Sequence, residues 1–237
     1  MTSTTEHSGQ TIALVTGANR GLGKRFAAEL VARGAKVYAA ARRPETIDIP
    51  GVIPVQLDIT DAESVRLAAE TASDVNVLIN NAGVSTRAQL LTGDLADIRL
   101  EMDTHYFGTL SVTRAFAPVI EANGGGEILN VLSVLSWVHM PSSGAYSAAK
   151  AAAWAMTDAI REELAPRGIR VAALHVGYMD TDMADFAPDD QKSDPGFVAK
   201  LALDGLFAGE PEILADDLSR TVKAGLSQPP RVASHSG

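Results

Sequence analysis

The sequence predicts a doubly wound α/β fold, in which helices cover both faces of one parallel sheet and form three α/β/α layers. Short apolar runs alternate with segments of helical periodicity along almost the whole chain. Strands separated by helices in this way form βαβ units and hence a parallel sheet. The 237 residues fit one such domain, without internal repeat or linker. We therefore predict a single domain over residues 1–237, with flexible ends at 1–10 and 227–237.

The elements can be placed in chain order. Apolar runs predict strands at residues 11–16, 36–41, 53–57, 75–80, 127–132, 170–175 and, more briefly, 212–215. Helical periodicity predicts helices at residues 21–33, 94–121, 146–165 and 196–207. The pattern Thr60-Asp61-Ala62-Glu63 predicts a capping box that opens another helix, which runs to about residue 73. The polar stretch 184–195 fits either a lid over a substrate or a plain loop.

Composition and charge exclude several classes of protein. Cysteine is absent, which excludes disulfides and cysteine-based metal sites, and we expect no metal. The 20 basic and 29 acidic residues give a net charge of −9, which argues against nucleic acid and anionic membranes as partners. No apolar stretch approaches the ~20 residues that span a bilayer, and the start of the sequence lacks the pattern of a signal peptide. We therefore expect a cytoplasmic protein.

A glycine-rich loop joins the first predicted strand to the first predicted helix, with the sequence Thr16-Gly17-Ala18-Asn19-Arg20-Gly21-Leu22-Gly23. Glycines let the backbone turn sharply and approach a pyrophosphate, which then faces the free N–H groups of the helix N-terminus. The position of the loop in a βαβ unit favours dinucleotide binding over a purely structural turn.

The end of the second predicted strand indicates which dinucleotide binds. Proteins that bind NAD usually carry an acid there for the ribose 2′-hydroxyl, whereas this chain reads Ala41-Arg42-Arg43. Arg42 can pair with a 2′-phosphate, and Arg20 in the glycine loop is a second candidate. Solvated surface arginines are the alternative interpretation, but the missing acid favours NADP(H) over NAD(H).

Three polar residues form a candidate catalytic group. Tyr146 and Lys150 are four residues apart at the start of a predicted helix, so both project from one face. A nearby ammonium would lower the pKa of the phenol and let it exchange a proton with a carbonyl or an alcohol. Ser133 ends the fifth predicted strand, where its hydroxyl can donate to a developing oxyanion. Without Ser133, the tyrosine and lysine would be read as an ordinary pair on a helix surface.

Together these motifs resemble those of the short-chain dehydrogenase/reductase family over about residues 11–226. TGANRGLG at 16–23, NNAG at 80–83, and Ser133 with YSAAK at 146–150 stand in the family's order and spacing. The resemblance implies a Rossmann-type sheet and hydride transfer between NAD(P)(H) and a carbonyl or alcohol. It also implies a homodimer or homotetramer that acts on a small-molecule substrate.

The resemblance also assigns roles to residues. Tyr146 would be the acid–base, Ser133 the oxyanion partner, and Lys150 the residue that binds the nicotinamide ribose and lowers the pKa of Tyr146. Asp58 would contact the adenine and Thr181 the carboxamide. With the glycine loop and the arginines, the cofactor-binding candidates are Gly17, Asn19, Arg20, Gly21, Leu22, Gly23, Arg42, Asp58, Ile59, Asn81, Ala82, Gly83, Tyr146, Lys150, Val176, Gly177 and Thr181.

Two positions depart from the family's pattern. His105 stands where the family usually has an asparagine, whose backbone carbonyl is implied to hold a water in a proton relay. We interpret His105 as a packed, hydrogen-bonded histidine rather than a proton shuttle. Val176 stands where the family commonly has a proline, so the loop that follows loses a fixed φ.

Residues after the fifth and sixth predicted strands indicate an apolar substrate pocket, with Leu135, Trp137, Met140, Tyr178 and Met183 as candidates. The sequence thus predicts an NADP(H)-dependent oxidoreductase for a small hydrophobic ketone, aldehyde or secondary alcohol. One alternative is a reductase of 3-ketoacyl groups on a carrier protein, although a charge of −9 suits an acidic carrier poorly. Another is a non-catalytic NADP(H)-binding sensor or scaffold, which has no need of the complete Ser-Tyr-Lys set.

Overall fold

The structure, a computed structural model, describes residues 9–228, with the backbone alone for Pro141. The predicted flexible ends at 1–10 and 227–237 lie largely outside the described residues.

One parallel sheet forms the centre of the described part of the chain. Its strands are β1 (Ile12–Thr16), β2 (Lys36–Ala41), β3 (Val52–Gln56), β4 (Val77–Asn80), β5 (Gly126–Val131), β6 (Ile169–His175) and β7 (Glu212–Leu214). They lie in the order β3-β2-β1-β4-β5-β6-β7, and every pairing is parallel. The direction of winding reverses between β1 and β4. The carboxyl ends of these two strands therefore flank the crevice where open α/β sheets bind ligands.

Helices cover both faces of the sheet. They are α1 (Gly21–Ala32), α2 (Ala62–Thr71), α3 (Leu95–Met102), α4 (Thr109–Ala122), α5 (Gly144–Leu164), α6 (Pro195–Phe207) and α7 (Asp217–Gly225). Apolar side chains of α1 and α6 pack on one face, and those of α2, α4 and α5 pack on the other. Successive side chains of β1 point to opposite faces of the sheet and so belong to both apolar cores. Leu14 faces α2, α4 and α5, whereas Ala13 and Val15 face α1 and α6. The predicted three-layer, doubly wound fold is confirmed.

None of the helices in the described part of the chain is long and apolar enough to cross a bilayer.

The start of α2 differs from the predicted capping box. Asp61, not Thr60, is the N-cap, and its carboxylate accepts hydrogen bonds from the backbone N–H groups of Glu63 and Ser64. Thr60 is engaged elsewhere, because its N–H and hydroxyl both donate to Oδ1 of Asp58, at 3.0 and 2.7 Å. The prediction that Thr60 and Glu63 form a capping box was therefore wrong.

The helix predicted over residues 94–121 is interrupted. A π-helical segment, Asp103–Gly108, separates α3 from α4. Gly108 closes this segment against Ile59, and a Cβ there would stand 2.9 Å from the Ile59 side chain. Since π-segments are rare and often mark functional sites, the interruption draws attention to His105, one of the three buried residues of this segment.

Helix α7 was not predicted from the sequence. It is short, and Ser219 is the residue of this helix that is buried. Asp216 caps it, with Oδ1 accepting from the N–H of Ser219 and Oδ2 accepting from the N–H of Gly177, both at 2.7 Å. The same carboxylate therefore fixes both α7 and the loop after β6.

Replacement of Gly126 by alanine should destabilise the sheet. A Cβ at the start of β5 would lie 1.9 Å from the carbonyl oxygen of Asn76, which is backbone and cannot move aside cheaply. We expect a loss of about 1–3 kcal/mol in the free energy of unfolding, measured with urea. Gly225→Ala is the matched control, because a Cβ there meets nothing within 4 Å and alanine favours helix. Equal losses in both variants would contradict the packing described here.

Candidate active site

The loops after β1 and β4 are joined by polar contacts. The Thr16 hydroxyl accepts hydrogen bonds from the N–H groups of Asn81 and Ala82, both at 2.9 Å. In return, the Asn81 amide donates to the carbonyl oxygens of Thr16 and Gly17, at 2.9 and 3.3 Å. These bonds place the predicted nucleotide floor at Asn81–Gly83 directly beside the glycine loop.

The glycine loop needs its glycines for steric reasons. Gly17 and Gly21 have φ of +66° and +54°, in the left-handed region that favours glycine. A Cβ at Gly17 would lie 2.9 Å from Cα of Ala82, and one at Gly23 would lie 2.2 Å from the carbonyl oxygen of Gly17. Helix α1 begins here without a side-chain cap. The loop is thus a narrow backbone cradle at a helix N-terminus, the form of site that binds pyrophosphate.

The structure brings the end of β2 to the glycine loop. The N–H of Ala18 donates to the carbonyl oxygen of Ala40 at 3.0 Å, and Arg42 follows two residues later with an exposed side chain. Arg20 is also exposed, but its guanidinium pairs with Asp182 at 3.1 Å in the loop after β6. The sequence analysis did not consider Asp182, which competes for this arginine.

The remaining cofactor candidates lie around the same edge. Asp58 follows β3 and holds Thr60, while Ile59 is buried against Gly108. Thr181 reaches the glycine loop, because a Cβ at Gly21 would lie 3.5 Å from its methyl group.

The loop at Val176 is held in spite of the missing proline. The N–H of Val134 donates to the carbonyl oxygen of Val176 at 3.0 Å, and Asp216 holds Gly177. Side-chain and backbone bonds thus supply restraint that a fixed φ would otherwise give.

Ser133, Tyr146 and Lys150 come together at the carboxyl end of β5. Ser133 caps a short 3-10 helix, Val134–Ser136, and its hydroxyl lies near enough to Tyr146 to lower the pKa of the phenol. Lys150 lies one turn further along α5, with its Nζ 5.6 Å from the centre of the Tyr146 ring. Its ammonium donates to the carbonyl oxygen of Val131 at 2.8 Å. The three side chains are therefore held by β5 and α5 without any mobile segment.

The electrostatics of this group correct one expectation. Burial raises the pKa of Tyr146, the hydrogen bond from Ser133 opposes this, and the charge of Glu101 adds to it. Burial also lowers the pKa of Lys150 to about 8, against the effect of Glu101. The protein groups alone therefore do not give Tyr146 the lowered pKa that was expected from Lys150, because desolvation of the phenolate outweighs nearby positive charge.

His105 and Glu101 lie behind Tyr146. The rings of His105 and Tyr146 meet edge to face, with centroids 5.1 Å apart. Nε2 of His105 lies 2.7 Å from the carbonyl oxygen of Val84 and 3.3 Å from Oε2 of Glu101. The structure thus gives His105 the packed, hydrogen-bonded position interpreted from the sequence. Sequence reasoning missed Glu101, although its place four residues before His105, on the same helical face, was a usable signal.

Four of the substrate-pocket candidates lie on the loops after β5 and β6, and the fifth, Trp137, is packed elsewhere. The Tyr178 hydroxyl donates to Sδ of Met140 at 3.2 Å, which links the loops after β5 and β6. Leu135 is half-buried next to Ser133, and Met183 is exposed in the loop after β6.

Trp137 is not part of this group. Its ring stacks on His175 with centroids 3.7 Å apart, and meets Trp154 of α5 edge to face. The structure therefore gives Trp137 a packing position behind Ser133 rather than the predicted place in the pocket.

A contact between Arg87, which follows β4, and the loop after β6 was not predicted from the sequence. The Arg87 guanidinium lies 4.1 Å from the centre of the Phe186 ring and pairs with Asp185 at 3.2 Å. Backbone hydrogen bonds between Tyr178, Asp180 and Ser193 close the same loop on itself. The stretch predicted as a lid or plain loop is therefore a folded, hydrogen-bonded loop.

The pH dependence of stability should report the burial of His175. Its side chain is fully buried, and burial lowers its pKa to about 4. The unfolded chain, with a histidine pKa of ~6.5, binds the extra proton first as the pH falls. Stability should therefore drop between about pH 6.5 and 4, by up to about 3 kcal/mol from this residue.

The measurement is urea unfolding at pH 7 and near pH 4.5, for the wild type and His175→Asn. The asparagine amide can still donate to the Ser133 carbonyl oxygen, which lies 3.2 Å from Nδ1 of His175, but it does not titrate. The variant should lose less stability on acidification. An equal loss in both proteins would contradict the buried, neutral histidine.

Comparisons with known proteins agree with this geometry. The family described as short chain dehydrogenase matches residues 11–192. The chain is 34% identical over 188 residues to a 3-oxoacyl-[acyl-carrier-protein] reductase from Synechocystis sp., covering 73% of this chain and 76% of that one. It is 34% identical over 178 residues to an NADPH-dependent 1-acyldihydroxyacetone phosphate reductase from Schizosaccharomyces pombe, covering 71% and 60%.

A solved structure is similar over nearly the whole fold. It is a short chain dehydrogenase from Burkholderia cenocepacia J2315 in complex with NADP, with a TM-score of 0.88 and 41% identity. The similarity covers 92% of this chain and 93% of that one. The motifs, the sheet and these matches show that the chain belongs to the short-chain dehydrogenase/reductase family and is an oxidoreductase of that family.

Proposed function

We propose that this oxidoreductase transfers a hydride between NADP(H) and the carbonyl or alcohol carbon of a small hydrophobic ketone, aldehyde or secondary alcohol. The observation that carries the proposal is the convergence of Ser133 and Tyr146 at the carboxyl end of β5, with Lys150 anchored one turn away by its bond to Val131. A binding module would have no use for two hydroxyls that converge on one point beside a buried ammonium.

The residues of the crevice fit a nicotinamide dinucleotide. The backbone cradle between Gly17 and Ala82 admits no side chain, and the uncapped start of α1 can receive a pyrophosphate. Lys150, with its Nζ 5.6 Å from the centre of the Tyr146 ring, is the residue that would hold the nicotinamide ribose, as the resemblance to the family implies. When bound, the cofactor supplies the hydride in reduction or accepts it in oxidation.

The chain's own residues then handle the substrate oxygen. In reduction, the hydroxyls of Ser133 and Tyr146 donate hydrogen bonds to the carbonyl oxygen, and Tyr146 gives up its proton as negative charge develops there. Because burial raises the pKa of Tyr146, the phenol is protonated at neutral pH and ready to act as an acid. The Lys150 ammonium stabilises the phenolate that remains.

Preference for NADP(H) rests on Arg42. It is exposed at the end of β2, beside the glycine loop, where it can pair with a 2′-phosphate. Arg20 is the weaker candidate because it has to leave Asp182 first. The NADP-bound structure from Burkholderia cenocepacia and the NADPH-dependent relative from Schizosaccharomyces pombe support the same preference.

A second candidate function is the reduction of 3-ketoacyl groups on a carrier protein. The similarity to the Synechocystis reductase favours it, whereas the net charge of −9 opposes docking of an acidic carrier. Comparing a 3-ketoacyl thioester on carrier protein with the same thioester on a small thiol separates the two. A large preference for the carrier-bound substrate would favour this second function.

We also propose a homodimer or homotetramer in the cytoplasm. Leu100 and Phe107, on the stretch from α3 to α4, are 43% and 56% exposed and offer an apolar surface to a second copy. Sedimentation of the purified protein measures the assembly directly.

Tyr146→Phe should abolish turnover. Loss of the proton donor is expected to lower kcat for ketone reduction by about 10²–10⁴-fold, with little change in folding. The assay follows NADPH oxidation across a panel of ketones and aldehydes. Tyr38→Phe is the matched control, since the Tyr38 hydroxyl donates to Asp74 at 2.9 Å, on a strand that contributes no catalytic residue. Turnover that survives Tyr146→Phe would contradict the proposed role.

Arg42→Ala should weaken NADPH selectively. Loss of a charge-assisted bond to the 2′-phosphate is expected to raise KM for NADPH about 10- to 100-fold and to leave KM for NADH unchanged. Arg20→Ala serves as the comparison and should have a smaller effect. Equal effects on both cofactors, or a wild-type preference for NADH, would count against the assignment of Arg42.

A further inference from the structure

A buried carboxylate lies behind the catalytic group. Glu101 of α3 is fully buried. Its Oε1 accepts hydrogen bonds from the N–H and hydroxyl of Thr86, at 2.6 and 2.9 Å. Oε2 lacks a hydrogen-bond partner among the described residues and lies 3.3 Å from Nε2 of His105. A glutamate in such a place is costly to desolvate, so its retention calls for a role beyond packing.

The imidazole beside Glu101 is neutral. Nε2 of His105 lies 2.7 Å from the carbonyl oxygen of Val84, which can only accept, so Nε2 carries the hydrogen. Burial and the charge of Lys150 lower the pKa of His105. Burial alone would raise the pKa of Glu101, but the nearby imidazole of His105 and the hydrogen bonds from Thr86 bring it below its usual value. The pair therefore keeps a net negative charge in the interior.

This charge lies beside His105, whose ring in turn meets Tyr146 of the catalytic group. Tyr146 is contacted by the hydroxyl of Ser133 after β5, by the ring of His105 from the π-segment and by Lys150 from its own helix. The charge of Glu101 raises the pKa of Tyr146 and also that of Lys150. In both residues the charge of Glu101 favours the protonated form.

The chain also makes room for this arrangement. A Cβ at Gly83 would lie 2.8 Å from Cε1 of His105, so the glycine that shapes the nucleotide floor also admits the imidazole. Glu101 thus contacts Thr86 in the loop after β4 and His105 in the π-segment, and His105 in turn contacts Tyr146 on α5.

We propose that Glu101, held by Thr86 and placed beside His105, is a positioning residue whose charge acts together with burial to keep the proton on Tyr146, which sets the site for carbonyl reduction at neutral pH and confines efficient alcohol oxidation to alkaline pH. The inference rests on the proposed function and gives it a direction. His105 fixes the tyrosine ring through the edge contact and transmits no proton.

The test is the pH dependence of kcat/KM for alcohol oxidation with NADP⁺, for the wild type and Glu101→Gln. Oxidation needs the phenolate, so the rate rises as Tyr146 loses its proton. Removing the buried charge should move this rise to lower pH by about one unit. At any pH below the rise, oxidation should then be roughly tenfold faster than in the wild type. A purely structural role for Glu101 would lower the rate at every pH and leave the rise in place, which would overturn the proposal.

Two further variants serve as controls. Glu101→Asp keeps the charge and should return the rise to near its wild-type position. Glu127→Gln removes another buried glutamate, one that accepts from Nε of Arg170 at 3.0 Å at the opposite end of β5. It should lose stability without moving the rise. A shift of the same size in Glu127→Gln would refute a local effect of Glu101.

His105→Asn decides between the carboxylate and the imidazole, and also serves if Glu101→Gln does not fold. This variant keeps the Glu101 charge and removes the ring contact. We expect kcat to fall, while the pH at which kcat/KM for alcohol oxidation rises should not change. If the rise moves by a unit or disappears, the imidazole is the titrating group and the proposal is wrong.

A readout independent of turnover separates this inference from the proposed function. If the wild type reduces no carbonyl at all, the proposed function fails. The ionisation of Tyr146 can still be followed by ultraviolet absorbance, as the difference between each protein and its Tyr146→Phe form. A lower midpoint in Glu101→Gln supports the role of Glu101, and an unmoved midpoint contradicts it.

Discussion

The geometry of the crevice depends on the hydrogen bonds that the hydroxyl of Thr16 accepts. It accepts from two backbone N–H groups of the loop after β4, so the two strand ends at the point of reversal are locked together. With that spacing fixed, Gly17 and Gly23 have no room for a side chain. The backbone cradle of the glycine loop and the loop after β4 are consequently held together as one hydrogen-bonded unit, at a helix N-terminus of the kind that can receive a phosphate group.

Burial controls the chemistry beside that cradle. Desolvation raises the pKa of Tyr146 and lowers that of Lys150 to about 8, so at neutral pH Tyr146 is a protonated phenol, whereas Lys150 remains largely an ammonium. Ser133 and Glu101 then act in opposite directions on Tyr146, one through a hydrogen bond and the other through its charge. The protonation state of the tyrosine is therefore set by several elements of the fold, not by the Tyr–Lys pair alone.

The fold and the catalytic group could be predicted from the sequence because both rest on local patterns. Apolar runs that end at glycines predict the strands. The spacing of four residues between Tyr146 and Lys150 predicts that both project from one face of a helix. The π-segment around His105 could not be predicted, and it includes a tertiary contact of Gly108 with Ile59, a residue distant in sequence. Likewise, the pairing of Arg20 with Asp182 and the stacking of Trp137 on His175 join segments that are distant in sequence. The effect of burial on the pKa of Tyr146 could not be predicted, because the depth of that burial depends on packing that the sequence does not display.

Direct hydride transfer is the central claim, and isotope tracing tests it most directly. The protein would be incubated with a turned-over ketone and NADPH carrying deuterium at one face of the nicotinamide C4, and then with the opposite label. The account predicts that the alcohol carries deuterium at its carbinol carbon with one of the two labels and none with the other. Alcohol without deuterium from either label would contradict it.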